Sequence, residues 1–290
     1  MKLYVIGNGF DLAHNLQTSY SNYYSYIKSH ANENNKWNDI LEYYPENHEL
    51  WSDAETYICK IDRKRFLEPK QIFGISDLDS LFDKIKKSFE LFIIEVEKHV
   101  DELSPIFHID KDALFLTFNY TTVLEDVYGI QKERVLHIHN IVGNAVLKRY
   151  YALETDDIVL GHGPDFKHFS YWTDGIIGGD KDYIRFREKT LKNSNSVIKK
   201  LHLDVLLMTR QSIIDEVVFY GFSFSPNDEE YVRTIMSCLP LPTTKYTLYY
   251  FVKDNEKQDV VINRYFSNMI KCACDPSKFQ MVKCNGVKSI

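Results

Sequence analysis

The sequence predicts an α/β fold: a mostly parallel, doubly wound sheet with a large helical insertion after the first strand. Three observations carry that reading. Short apolar runs alternate with segments of helical periodicity over much of the chain. Four of those runs end abruptly in an unusual polar or glycine-bearing motif. The stretch from about 15 to 105 reads instead as helix and irregular chain.

Lys2 to Ile6 is an apolar run ending in Gly7-Asn8-Gly9, a buried first strand and a sharp turn. Tyr20, Tyr23, Tyr24 and Ile27 follow at helical spacing, with Thr18 or Ser19 to cap them. Residues 31 to 60 read as polar and irregular, with Trp37, Trp51 and a short helix near Asp53 to Ile61. The clearest helix spans 78 to 98, where Leu78, Leu81, Phe82, Ile85, Phe89, Phe92, Ile93 and Val96 form one stripe. Such a stripe reads as core packing rather than a binding surface. Ala113 to Phe118 is the second strand, and Thr122-x-x-Glu125 reads as a capping box that opens a helix. Arg134 to Ile138 is the third strand. Residues 140 to 180 read as long loops with a short strand at Ile158 to Leu160.

A helix covers about Lys192 to Ile214, with Ile198, Leu201, Val205 and Met208 on one face. Glu216 to Tyr220 is the fourth strand; it leads through Gly221-Phe222-Ser223 into a helix capped by Ser225, with Pro226 at its first position. Val232, Ile235, Met236 and Leu239 give that helix its apolar face. Lys245 to Val252 is the fifth strand, a helix follows near Glu256 to Ile270, and a last strand lies near Phe279 to Cys284. Neither repeat nor low-complexity linker interrupts the chain. Residues 1–290 therefore read as one elaborated domain, with insertions at about 15–105 and 140–180.

Composition narrows the function. A chain of 290 residues with 44% hydrophobic and 26% charged residues is globular and long enough for a sizeable core. A net charge of −6 gives no basic excess, so a nucleic-acid partner is not expected. Five scattered cysteines do not make a disulfide framework. Cys272, Cys274 and Cys284 could share a metal with a fourth ligand, or be free buried thiols. The apolar run Leu3 to Ile6 is too short for a signal peptide, and no stretch approaches the roughly 20 apolar residues of a membrane span. The expected address is the cytoplasm, with no membrane partner.

The motifs after the strands share a position. Gly7-Asn8-Gly9-Phe10-Asp11, Asn119-Tyr120-Thr121-Thr122, His139-Asn140 and Gly221-Phe222-Ser223 each follow a strand. In a parallel sheet all four gather at the carboxyl edge, where open α/β sheets bind ligands. Glycines there let the backbone approach a phosphate, or simply turn. Leu12 replaces the third glycine of the dinucleotide fingerprint, and no acidic residue ends a second strand about 20 residues on. An ordinary dehydrogenase is therefore disfavoured.

Asn119 could orient a water or a ribose hydroxyl, or only make its own turn. His137 and His139, two apart, are expected on one face. His139 is the candidate general base and His137 a hydrogen-bonded core histidine. Ser223 and Asp228 flank a helix start, where Asp228 is a ligand contact or a capping partner. A metal-dependent hydrolase using His137, His139 and His162 with Asp165 is an alternative.

These residues also carry a resemblance. Ile6 to His14 (IGNGFDLAH), Leu16-Gln17-Thr18-Ser19-Tyr20, Trp51-Ser52-Asp53-Ala54-Glu55, Phe118-Asn119-Tyr120-Thr121, His137-Ile138-His139, and Tyr220-Gly221-Phe222-Ser223 with Asp228 resemble the phage abortive-infection AbiH family. More distantly, the layout is similar to sirtuin-like NAD-binding domains, which are Rossmann-like. The resemblance implies a bacterial anti-phage role and NAD as ligand or substrate, bound by Gly7, Asn8, Gly9, Phe10, Asp11, Thr121, Gly221, Ser223 and Asp228. Asn119 and His139 would take the catalytic places. Asn140 stands where those domains have glycine, and Thr121 where they have aspartate. The resemblance further implies a phage-derived trigger, and leaves open an oligomer and a nucleotide-sensing module without chemistry.

Overall fold

The computed structural model describes residues 1–34, 37–44, 55, 58, 76–142, 158–163, 185–186, 188–192, 195–210, 213–239, 244–252 and 256–284. The chain divides into two compact units. The first comprises Met1–Thr18, Ile93–Val159 and Asn195–Ile290, and the second Ser19–Phe92 and Leu160–Ser194.

The first unit holds the sheet. Its strands are β1 (Lys2–Ile6), β2 (Leu114–Thr117), β3 (Val135–His137), β4 (Glu216–Tyr220), β5 (Lys245–Tyr250) and β6 (Phe279–Lys283). Every pairing is parallel and the order is β3-β2-β1-β4-β5-β6. That is the strand order of the doubly wound, Rossmann-like layout. The central strands are continuously buried because helices cover a parallel sheet on both faces.

One face packs Leu3, Val5, Leu116, Val217, Phe219 and Leu248 against helices. Leu201 and Val205 come from α6 (Asn195–Thr209), Tyr231, Val232 and Ile235 from α7 (Glu229–Ser237), and Val261 and Met269 from α8 (Gln258–Lys271). The other face is aromatic: Tyr4 stacks on Phe115 and Tyr220 on Tyr249. Phe10 of α1 (Gly9–Ala13), Phe107 and Tyr128 continue that layer.

In the second unit, α2 (Tyr20–Asn34) opens with Ser19 Oγ accepting from Asn22 N at 3.2 Å, so Ser19 is the cap. Tyr23 packs edge-on against Phe89 of α4 (Ser76–Glu97), and its hydroxyl bonds Ser88 Oγ at 2.6 Å. From Leu81 to Val96 the predicted stripe on α4 is thus core.

Several sequence expectations are corrected. Residues 31–34 finish α2, and Asn38–Tyr43 form α3, where irregular chain was expected. Ile158 and Leu160 are buried but the segment makes no strand, because Val159 N donates to the loop carbonyl of His139 at 3.0 Å. Thr122 does begin α5 (Val123–Asp126), yet no capping box closes there. Its hydroxyl donates to Glu97 and Glu125 bonds His137, so long-range partners win over a helix of four residues. Ser225 Oγ does cap, accepting from Asn227 N at 3.3 Å, with Pro226 next. Trp51 and most of 53–61 lie outside the described residues, although Glu55 is helical. No described helix is long and apolar enough to cross a membrane.

Candidate functional site

The chain winds from β1 through β2 to β3 on one side, then crosses to β4, β5 and β6 on the other. The carboxyl ends of β1 and β4 therefore flank the switch point, where such sheets form a crevice. Backbone bonds extend the pairing one residue past the strands: Gly7 N to Tyr220 O at 3.0 Å, Phe118 N to Ile6 O at 2.9 Å and Ile138 N to Thr117 O at 2.9 Å. The four motifs consequently begin at one level.

The glycines make close passage possible. Gly9 N donates to Gly221 O at 2.9 Å. A Cβ on Gly7 would lie 2.7 Å from Gly221 O, and one on Gly9 2.8 Å from Gly221 Cα. Gly221 has φ +59, and a Cβ there would sit 2.3 Å from Phe10 N. These glycines, assigned from sequence to a phosphate, face each other's backbone. Asn8 is exposed, and its Nδ2 donates to Thr18 O at 3.2 Å.

Asp11 is the polar centre. It lies in α1, is only 1% exposed, and accepts from Asn119 Nδ2 at 2.8 Å and Thr121 Oγ1 at 2.7 Å. Burial pushes its carboxyl up to about 7, against the pull of the hydrogen bonds from Thr121 and Asn119. Because Nδ2 must face the carboxylate, the orientation of the Asn119 amide is fixed. Asn119 is 4% exposed, and its Oδ1 has no partner among the described residues.

Two further pairs adjoin this cluster. His137 Nε2 lies 2.8 Å from Glu125 Oε1, and its Nδ1 lies 3.3 Å from Asn119 O, with both side chains buried. His137 is therefore the hydrogen-bonded core histidine read from the sequence. Glu97, the last residue of α4, accepts from Thr122 N at 2.7 Å and Thr122 Oγ1 at 2.8 Å. Burial first, and then the charge of Asp11, hold Glu97 up at about 7.

His14 steadies the short helix that carries Asp11. Its Nδ1–H donates to Phe10 O at 2.8 Å, and its Nε2 lies 2.8 Å from the Tyr128 hydroxyl. That hydroxyl accepts from Ile106 N and Phe107 N, so its own hydrogen goes to His14. Burial lowers the His14 pKa.

His139 has different neighbours from His137. β3 stops at His137, and Asn140 turns left-handed at φ 66, so strand alternation does not carry both rings to one environment. The His139 ring is 3% exposed, edge-on to Phe118 and Tyr231 at 5.3 Å each and tilted against Tyr120 at 5.7 Å. Phe10 is fully buried against His14, Phe107, Tyr128 and Tyr220. Ser223 is exposed and its carbonyl accepts from Asn268 Nδ2 at 3.1 Å. Asp228, half-buried, is the N-cap of α7, three residues before Tyr231.

The structure thus joins Asp11, Asn119 and Thr121 directly, with His137 one bond away. Glu97 and Glu125 are members that sequence reasoning missed. The available signal for Glu97 was an acid in the last turn of a helix, where the macrodipole disfavours it. Among the described residues no three His, Cys, Asp or Glu side chains group as metal ligands. His162 lies in the second unit, where its Nδ1–H donates to Gly163 O at 2.6 Å, and Asp165 is outside the described residues. Cys272 and Cys274 are buried free thiols, pushed up to about 12 and about 11 mainly by burial.

A protein-family model described as "Bacteriophage abortive infection AbiH" matches residues 3–73 and 68–250. No curated protein and no solved structure matches the chain.

Proposed function

Because the chain belongs to the bacteriophage abortive infection AbiH family, with the bacterial anti-phage role of that family, we propose that it binds a nucleotide of the NAD or ADP-ribose class at the carboxyl edge of its sheet and hydrolyses it. The observation that carries this reading is the buried Asp11–Asn119–Thr121 cluster at the ends of β1 and β2, beside the switch point.

Breaking a nicotinamide–ribose bond builds positive charge on the sugar. Such a transition state is stabilised by a fixed carboxylate and by a positioned water. Asp11 supplies the negative charge when ionised. Asn119, its amide locked by Asp11, offers Oδ1 as an acceptor for a ribose hydroxyl or a water. His139 is the base assigned from the sequence. Its enclosure by Phe118, Tyr120 and Tyr231 favours a second reading as well: binding without turnover.

The test follows NAD by mass in extracts of phage-infected bacteria producing the chain, where any phage-derived trigger is present. ADP-ribose should accumulate with the wild type, and Asn119→Ala should slow it by about 100-fold or more. Asn119→Ala and His139→Ala both matching wild type would remove the assignment. Tight ADP-ribose binding with no product would select the second reading.

A further inference from the structure

We propose that Glu97 is the second carboxylate of this site and the base that takes the proton from the attacking water. The inference rests on the nucleotide-hydrolysis reading above and moves the base in it from His139, enclosed by Phe118, Tyr120 and Tyr231, to Glu97.

Two consecutive threonines grip two different carboxylates. Thr121 Oγ1 donates to Asp11 Oδ2 at 2.7 Å, and Thr122 Oγ1 donates to Glu97 Oε2 at 2.8 Å. One turn of chain after β2 therefore sets the acid from α1 beside the acid from the end of α4. A second observation points to a ligand there. Asn119 Oδ1 is buried and lacks a partner among the described residues, on the amide whose nitrogen holds Asp11. An acceptor left unpaired in such a place carries a desolvation penalty that a donor on a bound molecule would relieve.

Exposure divides the labour. Asp11 is closed off, while Glu97 is only partly buried, which suits it better to meet a water. Paired carboxylates are the usual apparatus for glycosidic cleavage, one meeting the sugar cation and the other handling the proton. Here the bond between ribose C1′ and the nicotinamide nitrogen breaks, and its electron pair neutralises the pyridinium. Water oxygen bonds to C1′, and the water proton passes to Glu97. The products are nicotinamide, ADP-ribose and one proton released when Glu97 reionises.

The charged groups whose fields Glu97 feels most are Asp11 of α1 and Asp126 of α5. Both oppose its ionisation, which suits a base working near neutral pH. The competing role is to cap the start of α5 through Thr122 N. Glutamine keeps an acceptor for that bond but cannot take a proton.

The experiment compares wild type, Glu97→Gln and Glu97→Asp in the same extracts, from mildly acidic to mildly alkaline pH. ADP-ribose binding to each purified full-length chain is measured alongside. Glu97→Gln should lose about 100-fold in rate with binding within about threefold, and the fall in rate below neutral pH should shrink to the part set by Asp11. Glu97→Asp should turn over more slowly, with the fall displaced in pH. A Glu97→Gln chain with wild-type rate and profile would overturn the role of Glu97 and leave hydrolysis standing. Wild type yielding no ADP-ribose would overturn hydrolysis itself, and this role with it. If Glu97→Gln does not fold, Glu97→Asp decides: an acidic limb displaced from that of wild type supports the base, and a limb and rate unchanged from wild type overturn it.

Discussion

Replacing Asp11 by asparagine should make the protein relatively more stable as the pH rises. The carboxyl is raised from an ordinary 3.8 to about 7, with burial the largest cause. Below pH 4 the group is protonated in both folded and unfolded chains, and folding is not penalised. Between about 4 and 7 the unfolded chain gives up its proton while the folded chain keeps it, so stability falls as the pH rises and levels off above 7. At about 1.4 kcal/mol per pH unit, the loss is on the order of 4 kcal/mol. Asparagine has no charge to bury. Its oxygen can accept from Asn119 Nδ2 and its amide can donate to Thr121 Oγ1, which has lone pairs to spare. Thermal melts at pH 5 and pH 8 read the effect as a difference of differences. The Asp11→Asn chain should gain on wild type by several degrees between the two, at about 2–4 °C per kcal/mol for a chain of this size. A gap between the two proteins that does not change with pH would refute the reasoning, because it would mean the buried carboxyl titrates as it does in water.

Two more substitutions test the scaffold. Gly221→Ala combines a left-handed backbone with a Cβ 2.3 Å from Phe10 N, and should destabilise by roughly 3 kcal/mol or more; a melting temperature within a degree of wild type contradicts the described crossing. His137→Ala leaves Glu125 buried without its partner and should cost about 3–5 kcal/mol, read as a lowered urea midpoint; an unchanged midpoint would mean the pair is not buried as described.

Much of the sheet was legible because buried parallel strands are continuous apolar runs. Lys2 to Ile6 and Glu216 to Tyr220 coincide with β1 and β4 to the residue, and the other strands shift by one or two positions at their ends. Strand order was not legible, since nothing local in a run states its neighbour. Within the site, Asp11, Asn119 and Thr121 were found because each sits in a motif directly after a strand. Their mutual bonds join positions more than a hundred residues apart and leave no periodic trace. Thr122 and Glu125 were noticed for the wrong reason: the capping-box spacing is real, but each side chain is claimed by a distant partner. His137 and His139 have different neighbours although they are two apart, because β3 ends at His137 and the alternation rule no longer governs His139.

The interlocked glycines of the β1 and β4 loops have one more consequence. Their amides at Gly7 and Gly9 are already committed to Tyr220 and Gly221 carbonyls. These amides are thus part of the framework, and selectivity for the proposed ligand would fall to the side groups that rim the crossing. Substitutions among those groups would then alter what is bound there while the crossing beneath them stays as it is.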